Sequence, residues 1–403
     1  MVDDFEKQAE AFFATLPALM KDAGRGAEQR VRVLRAAMAD AGLVGFGIPE
    51  AYGGRTDVVD GPRRFQIAAQ GRLPTEDGML GIGLNMAVPI ILQYGTEELK
   101  QYFIRRALRA EDIWCQLYSE PEAGSDLASL RTTAVLDGDE WIVNGQKVWT
   151  SGAQHSDMGV LLARTGDEPR NKGISMLLIP MRQPGVEVRP LRQMTGEAEF
   201  NEVFFTDARC PKENVVGEIN GGWMVAMTLL GNERGAGAVV SGISFRGELD
   251  KLNNLAREKG VTTNPHIRQR LAQAHIKVEI MRFLGYRTLT AFMNGSQPGP
   301  EASIGKLWWS EYHKEVTELA VDILGADALV PFGQTPHTAF TTDAPGSPND
   351  SANWAGVFMN ARAGTIYAGT SQVQRGIVGE QVLGLPKEPR SDGGPWKNIP
   401  GHG

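Results

Sequence analysis

The chain has 403 residues, more than one ordinary domain of roughly 100–200 residues holds, so two or three domains are expected. Its hydrophobic content of 42% and charged content of 22% are those of a soluble globular protein, and a net charge of −7 argues against nucleic-acid binding, which needs a basic face. Two cysteines, Cys115 and Cys210, form no disulfide framework and point to a reducing, cytoplasmic compartment.

The first residues, Met1-Val2-Asp3-Asp4-Phe5-Glu6-Lys7, have neither the basic start nor the apolar stretch of a signal peptide. No apolar run approaches the roughly 18 residues of a membrane span, so no membrane association is expected. Residues 1–113 read mostly as helix, with apolar side chains at helical spacing over 29–38. Residues 42–54 read as a short extended piece ending in a turn at Gly53-Gly54. Residues 84–103 read as two helical segments divided at Gly95-Thr96, with Thr96 before Glu97-Glu98 as a helix-start signal.

Near Ile113 the pattern changes. Residues 135–165 alternate, and Asp137-Gly138 and Asn144-Gly145 predict hairpin turns. Residues 173–180 and 201–205 read as further strands, and the β-rich region runs to about Val216. Helical period returns at Gly222 and continues over 266–293 and 301–324. Residues 333–353, rich in Thr, Pro, Gly, Ser and Asp, predict a loop, and the chain from about Pro386 predicts a surface tail. No internal repeat is visible. The fold class expected is therefore multidomain α+β: an N-terminal helical domain over 1–113, a middle β domain over 114–218, and a C-terminal helical bundle with its tail over 219–403.

Three motifs stand out in this order: Tyr118-Ser119-Glu120-Pro121-Glu122-Ala123-Gly124-Ser125-Asp126, then Asn144-Gly145-Gln146-Lys147-Val148-Trp149-Thr150-Ser151-Gly152, then Tyr367-Ala368-Gly369-Thr370-Ser371-Gln372-Val373-Gln374-Arg375. Together they resemble the acyl-CoA dehydrogenase family of flavoenzymes, over residues 42–386. The resemblance implies FAD as cofactor and the same α–β–α order of domains. It implies that Trp149 packs beside the isoalloxazine, that Ser119 and Ser151 bring hydroxyls to the flavin edge, and that Gln116, Leu117 and Tyr118 form the strand whose backbone reaches the ring. Thr370 and Gln372 are further cofactor residues on the same ground, and Ser125 contacts the CoA part of the substrate. Taken alone, Trp149 would read as a core aromatic and Ser125 or Asp126 as a helix N-cap.

Family members often carry the catalytic carboxylate at the position that is Ala368 here. Ala368 keeps the backbone N–H that polarises a thioester, but it cannot be the base. Leu230-Gly231-Asn232-Glu233-Arg234-Gly235 opens the first C-terminal helix, and isovaleryl-type and long-chain-type members hold their carboxylate at the matching Glu. Glu233 is accordingly expected to take the α-proton while the β-hydrogen leaves as hydride to flavin N5. Arg234 is expected beside the substrate. Taken alone, Glu233 would read as a surface glutamate paired with Arg234.

Homotetrameric members complete a neighbour's FAD site with Arg-x-x-Phe-Gly and Gln-x-x-Gly-Gly-x-Gly. Here Lys259 stands on the Arg position with no Phe-Gly after it, and 322–328 reads Asp-Ile-Leu-Gly-Ala-Asp-Ala. The pattern resembles the heterotetrameric acyl-CoA dehydrogenases of bacterial steroid catabolism, as does Asn264-Pro265-His266-Ile267-Arg268-Gln269-Arg270-Leu271-Ala272. The resemblance implies a bulky, branched or sterol side-chain acyl-CoA as substrate, an electron-transferring flavoprotein as acceptor, and a second acyl-CoA dehydrogenase subunit in a 2+2 tetramer, the alternative being self-assembly. No metal is expected. Two other functions stay open: a non-catalytic subunit of such a complex, and an O₂-using flavin oxidase on the same fold.

Overall fold

The computed structural model describes residues 4–24, 26–69, 72–73, 77–295, 299–330, 333 and 349–387, with the backbone alone for 77, 231–240 and 292. The described residues divide into two compact units, one within 4–191 and 198–229, the other within 192–197 and 230–387. The predicted loop falls mostly on 334–348, outside the described residues, and its last residues begin a helix instead; most of the predicted tail also lies outside them.

The first unit opens with helices α1 (Asp4–Asp22), α2 (Ala27–Asp40) and α3 (Gly61–Ala69). Phe5, Ala9, Phe12 and Leu16 bury one stripe of α1, and Val31, Leu34 and Met38 one stripe of α2, the spacing that makes an amphipathic helix. Residues 42–54 do not form a strand. Only Phe46 bridges to Arg55, and a 3₁₀ turn at Glu50–Tyr52 ends on left-handed Gly53. Helix α4 (Val88–Tyr94) stops at Gly95, and Thr96 caps α5 (Glu97–Leu99) by accepting the Leu99 N–H at 3.4 Å, the predicted start signal. A π-helical turn at Lys100–Ile104 leads to α6 (Arg105–Leu108).

Seven strands follow: β1 (Trp114–Leu117), β2 (Thr133–Asp137), β3 (Glu140–Ser151), β4 (Met158–Arg164), β5 (Ile174–Pro180), β6 (Val186–Leu191) and β7 (Phe200–Pro211). They form one sheet in the order β1-β4-β2-β3-β7-β6, with β5 on the other side of β4. β1 runs parallel to β4 with Gln116 opposite Val160, and β3 runs antiparallel to β7. Leu117, Trp141, Val143, Leu161, Leu177 and Val203 share its buried core.

Gly138 turns the β2–β3 hairpin at φ 63°, as predicted. Asn144-Gly145 does not turn. β3 begins at Glu140 and runs straight through the pair, with a register shift between Val143 and Gly145. Gly145 has φ 146°, and a Cβ there would meet the Thr132 Oγ1 at 2.5 Å. The glycine therefore serves the close approach of Thr132 within the sheet rather than a loop, while the extra residue of the shift lies on β7.

Helix α7 (Gly222–Glu258) carries the chain into the second unit, which continues with α8 (Pro265–Met293), α9 (Ala302–Leu324), α10 (Ser351–Gly364) and α11 (Ser371–Ile377). Phe245, Leu249, Leu252 and Ala256 of α7 meet Ala274, Val278 and Met281 of α8 and Tyr312, Val316, Leu319 and Ile323 of α9 in one buried cluster. α7 and α8 pack backbone to backbone where a Cβ on Gly242 would lie 2.8 Å from Arg282 Cα. Among the described residues no helix is long and apolar enough to cross a membrane.

Candidate functional site

In the first unit, β3 slips a second time against β7, between Lys147↔Val203 and Thr150↔Asn201. That extra residue carries Trp149 into the left-handed region at φ 61°. Its indole is turned out of the sheet, 61% exposed, with the edge of Phe200 against it at 6.2 Å between centroids. A non-glycine residue held in this conformation costs about 1–2 kcal/mol, which the surrounding sheet must supply. Ser151 follows, exposed, opposite Phe200. A core role for Trp149 is excluded by that exposure; a flat apolar wall beside the sheet is what remains.

Ser119 sits next to this wall along the chain's hydrogen bonds: its carbonyl accepts the Val148 N–H at 2.9 Å. Among the described residues no acceptor meets the Ser119 N–H or its hydroxyl. Gln116, half-buried on β1, has a buried side-chain nitrogen that likewise meets no acceptor. Leu117 and Tyr118 are buried. Unpaired donors beside an exposed aromatic face fit a planar heterocycle rich in acceptors, which is the chemistry of a flavin.

Ser125 lies exposed on the loop after this strand. Asp126, not Ser125, takes the N-cap position of the following 3₁₀ turn, and without a side-chain cap bond, which leaves Ser125 uncommitted.

Two residues that periodicity does not single out hold the loop in place. Lys147 is wholly buried; its ammonium donates to the Tyr118 carbonyl at 3.0 Å and to Glu120 Oε1 at 2.8 Å. Glu120 also accepts the backbone N–H of Arg131 at 2.6 Å and of Thr132 at 2.9 Å. Burial pushes the Glu120 carboxyl up, but the Lys147 charge and these donors overcome it and hold the group below the ordinary carboxylate range. Burial pulls the Lys147 ammonium below its ordinary value, with Glu120 opposing. Three donors on one carboxylate favour the ionised pair.

In the second unit, the turn between α10 and α11 presents Ala368 at φ 51° and Gly369 at φ 87°. Among the described residues the Ala368 N–H meets no acceptor. The turn is pinned from beneath. Gln374, wholly buried, donates to the carbonyls of Ala368 at 3.0 Å and Gly369 at 3.3 Å. Ser371 donates to Glu311 at 2.7 Å, and Lys306 donates to the Gly364 carbonyl at 2.8 Å. A Cβ on Gly369 would lie 2.4 Å from Gln374 Nε2, so glycine is required there. Thr370 caps α11 by accepting the Val373 N–H at 3.1 Å, and Gln372 is exposed. Gln374 and Lys306 were not singled out from the sequence; Gln374 lies in the third motif, and that position is the only sequence signal for it. Glu233 and Arg234 lie on α7, and their side chains are outside the described residues.

The chain matches the acyl-CoA dehydrogenase N-terminal domain over residues 3–111, the middle domain over 115–208 and the C-terminal domain over 220–383. It is 38% identical to acyl-CoA dehydrogenase IpdE1 of Mycobacterium tuberculosis over 401 residues, 96% of this chain and 98% of that protein. Among solved structures, the Tcur3481-Tcur3483 steroid ACAD superposes with a TM-score of 0.73 at 30% identity, covering 95% of this chain and 97% of that one. The ChsE4-ChsE5 complex from Mycobacterium tuberculosis superposes with a TM-score of 0.70 at 29% identity, covering 96% and 99%.

Proposed function

The chain belongs to the acyl-CoA dehydrogenase family of oxidoreductases, and we propose that it is the FAD-dependent, base-carrying subunit of an enzyme that desaturates a bulky acyl-CoA between Cα and Cβ. The observation that carries this reading is Trp149, exposed on its bulge beside the unpaired donors of Ser119. FAD, when bound, supplies the acceptor for the β-hydride. Trp149 offers the flat wall, Gln116, Leu117, Tyr118 and Ser119 the strand and donors along it, and Ser151, Thr370 and Gln372 further polar contacts.

Glu233 takes the α-proton. The free N–H of Ala368 donates to the thioester oxygen, where negative charge grows as that proton leaves; a fixed donor in a pinned turn stabilises the charge without reorganising. Ser125 and Arg234 hold the CoA thioester. The sheet-borne and helix-borne residues fall in the domains we set at 1–113, 114–218 and 219–403. The similarity to a steroid ACAD supports a branched or sterol side-chain substrate, and the two-name complexes among its relatives support a second, different acyl-CoA dehydrogenase subunit. An electron-transferring flavoprotein in the cytoplasm is the acceptor in this reading.

The test is Glu233→Gln in the FAD-loaded protein. It should keep acyl-CoA binding and lose substrate-driven bleaching of the flavin by about 10³-fold, the share of a general base. Bleaching at the unaltered rate overturns the assignment of the base. Absence of FAD in the purified protein, with or without a co-purifying subunit, would mark a structural subunit, and peroxide formed from acyl-CoA in air without an acceptor would mark an oxidase.

A further inference from the structure

Among the described residues of the first unit, Lys147 is the most deeply buried cation. It stands two residues before Trp149, at the start of the bulge, and its ammonium touches the Tyr118 carbonyl at 3.0 Å. That carbonyl shares its peptide group with the Ser119 N–H, the donor that meets no acceptor among the described residues. The amide is conjugated, so a cation on the oxygen draws electron density from the nitrogen and strengthens the N–H as a donor. Chains of hydrogen bonds in a low-dielectric interior polarise one another in this way. Glu120 fixes the ammonium in place and is itself fixed by the Arg131 and Thr132 amides.

We propose that Lys147 is a positioning residue that acts through the Tyr118–Ser119 peptide: it locks the two motif segments together and primes the Ser119 N–H to donate to the bound flavin. This rests on the FAD reading above. A reduced flavin carries more negative charge than an oxidised one, so a primed donor holds the reduced form more tightly. Lys147 thereby raises the cofactor's midpoint potential without touching it.

Two measurements test this on the full-length protein, purified with whatever subunit accompanies it. Lys147→Met, close in shape and without charge, should bind FAD about tenfold more weakly, one hydrogen bond's worth. Its bound flavin should have a midpoint about 30 mV more negative, the equivalent of a further tenfold for a two-electron couple. Loss of packing alone would weaken binding but leave the potential where it was, and an unchanged potential overturns the proposal. The second measurement uses the unaltered sequence and does not depend on a variant folding. Tyr118-Ser119 is the only Tyr-Ser pair in the chain. Carbonyl-¹³C tyrosine with ¹⁵N serine therefore gives a single amide resonance, that of Ser119. It should move downfield when FAD is added. FAD uptake with no movement of this resonance overturns the proposal while leaving the cofactor assignment intact; no FAD uptake removes the cofactor assignment and the proposal with it.

Discussion

Gln374 lies wholly buried beneath the turn that carries Ala368 and donates its side-chain amide to the Ala368 carbonyl at 3.0 Å. The bond helps hold the alanine at φ 51°, and among the described residues its own N–H meets no acceptor. Ala368, which the proposed reading uses through its backbone N–H alone, is thus kept in a left-handed conformation. Gln374→Leu should remove both carbonyl bonds of Gln374 and cost about 1–3 kcal/mol, visible as a lower urea midpoint. Ala368→Gly should relax the turn and raise stability by about 0.5 kcal/mol, because glycine adopts positive φ without the steric penalty. A destabilised Ala368→Gly would show that the turn is not strained.

Trp149 offers the complementary case in the first unit. At φ 61° and 61% exposure it carries backbone strain and little burial energy. Trp149→Gly should leave the unfolding free energy equal to or about 1 kcal/mol above the starting protein, by relief of the left-handed backbone. The same variant should bind FAD at least tenfold more weakly if the indole is the flavin wall, since aromatic stacking contributes about 1 kcal/mol or more. Unchanged FAD affinity, measured by fluorescence quenching, would remove Trp149 from the cofactor site.

Much of this was legible in the residues. The cap at Thr96, the helices over 266–293 and 301–324, and the hairpin at Gly138 follow from local rules, because each is decided by side chains a few residues apart. Asn144-Gly145 defeats the same kind of rule: what fixes Gly145 is Thr132, just before β2, packed where a Cβ would go. Lys147 was invisible for a related reason. A lysine in an alternating strand reads as solvent-facing, and its burial depends on Glu120, 27 residues earlier, whose own charge is held by two amides. The motif residues could be named from the sequence, but not which of them hold the others.

Lys306 gives a pH dependence with a definite sign. Its ammonium is buried beside the rings of Trp309 and Tyr367, 5.8 Å from each centroid, and donates to the Gly364 carbonyl at 2.8 Å. Burial pulls its pKa down to about 8, with Glu311 opposing. Between about pH 8 and the ordinary lysine value, the unfolded chain binds more protons than the folded one, so this group's contribution to stability rises with pH across that window. The melting temperature of the protein relative to that of Lys306→Met should therefore climb from pH 8 to pH 10. A difference that is flat or falling across that range would show that the folded-state pKa is not depressed.

The positions that the resemblance aligns with a neighbour's FAD site in homotetrameric members are engaged within this chain. Lys259 pairs with Asp327, and Asp322, standing where those enzymes have glutamine, pairs with Arg270. A pyrophosphate brought here would meet two carboxylates and would have to draw their cations away, where other chains offer backbone N–H groups at glycines. In a symmetric homodimer both sites would present this same surface. A different subunit with intact glycines and a free arginine has no such obstacle. The intact complex should therefore contain two kinds of subunit, two of each, with one FAD for every two chains, as read by native mass spectrometry and flavin absorbance. If this surface does not serve a flavin, Asp322→Ala, which frees Arg270, should leave the flavin content of that complex unchanged. A homotetramer of this chain with one FAD per subunit would overturn the prediction, and a loss of flavin in Asp322→Ala would place the Arg270–Asp322 pair at a cofactor after all.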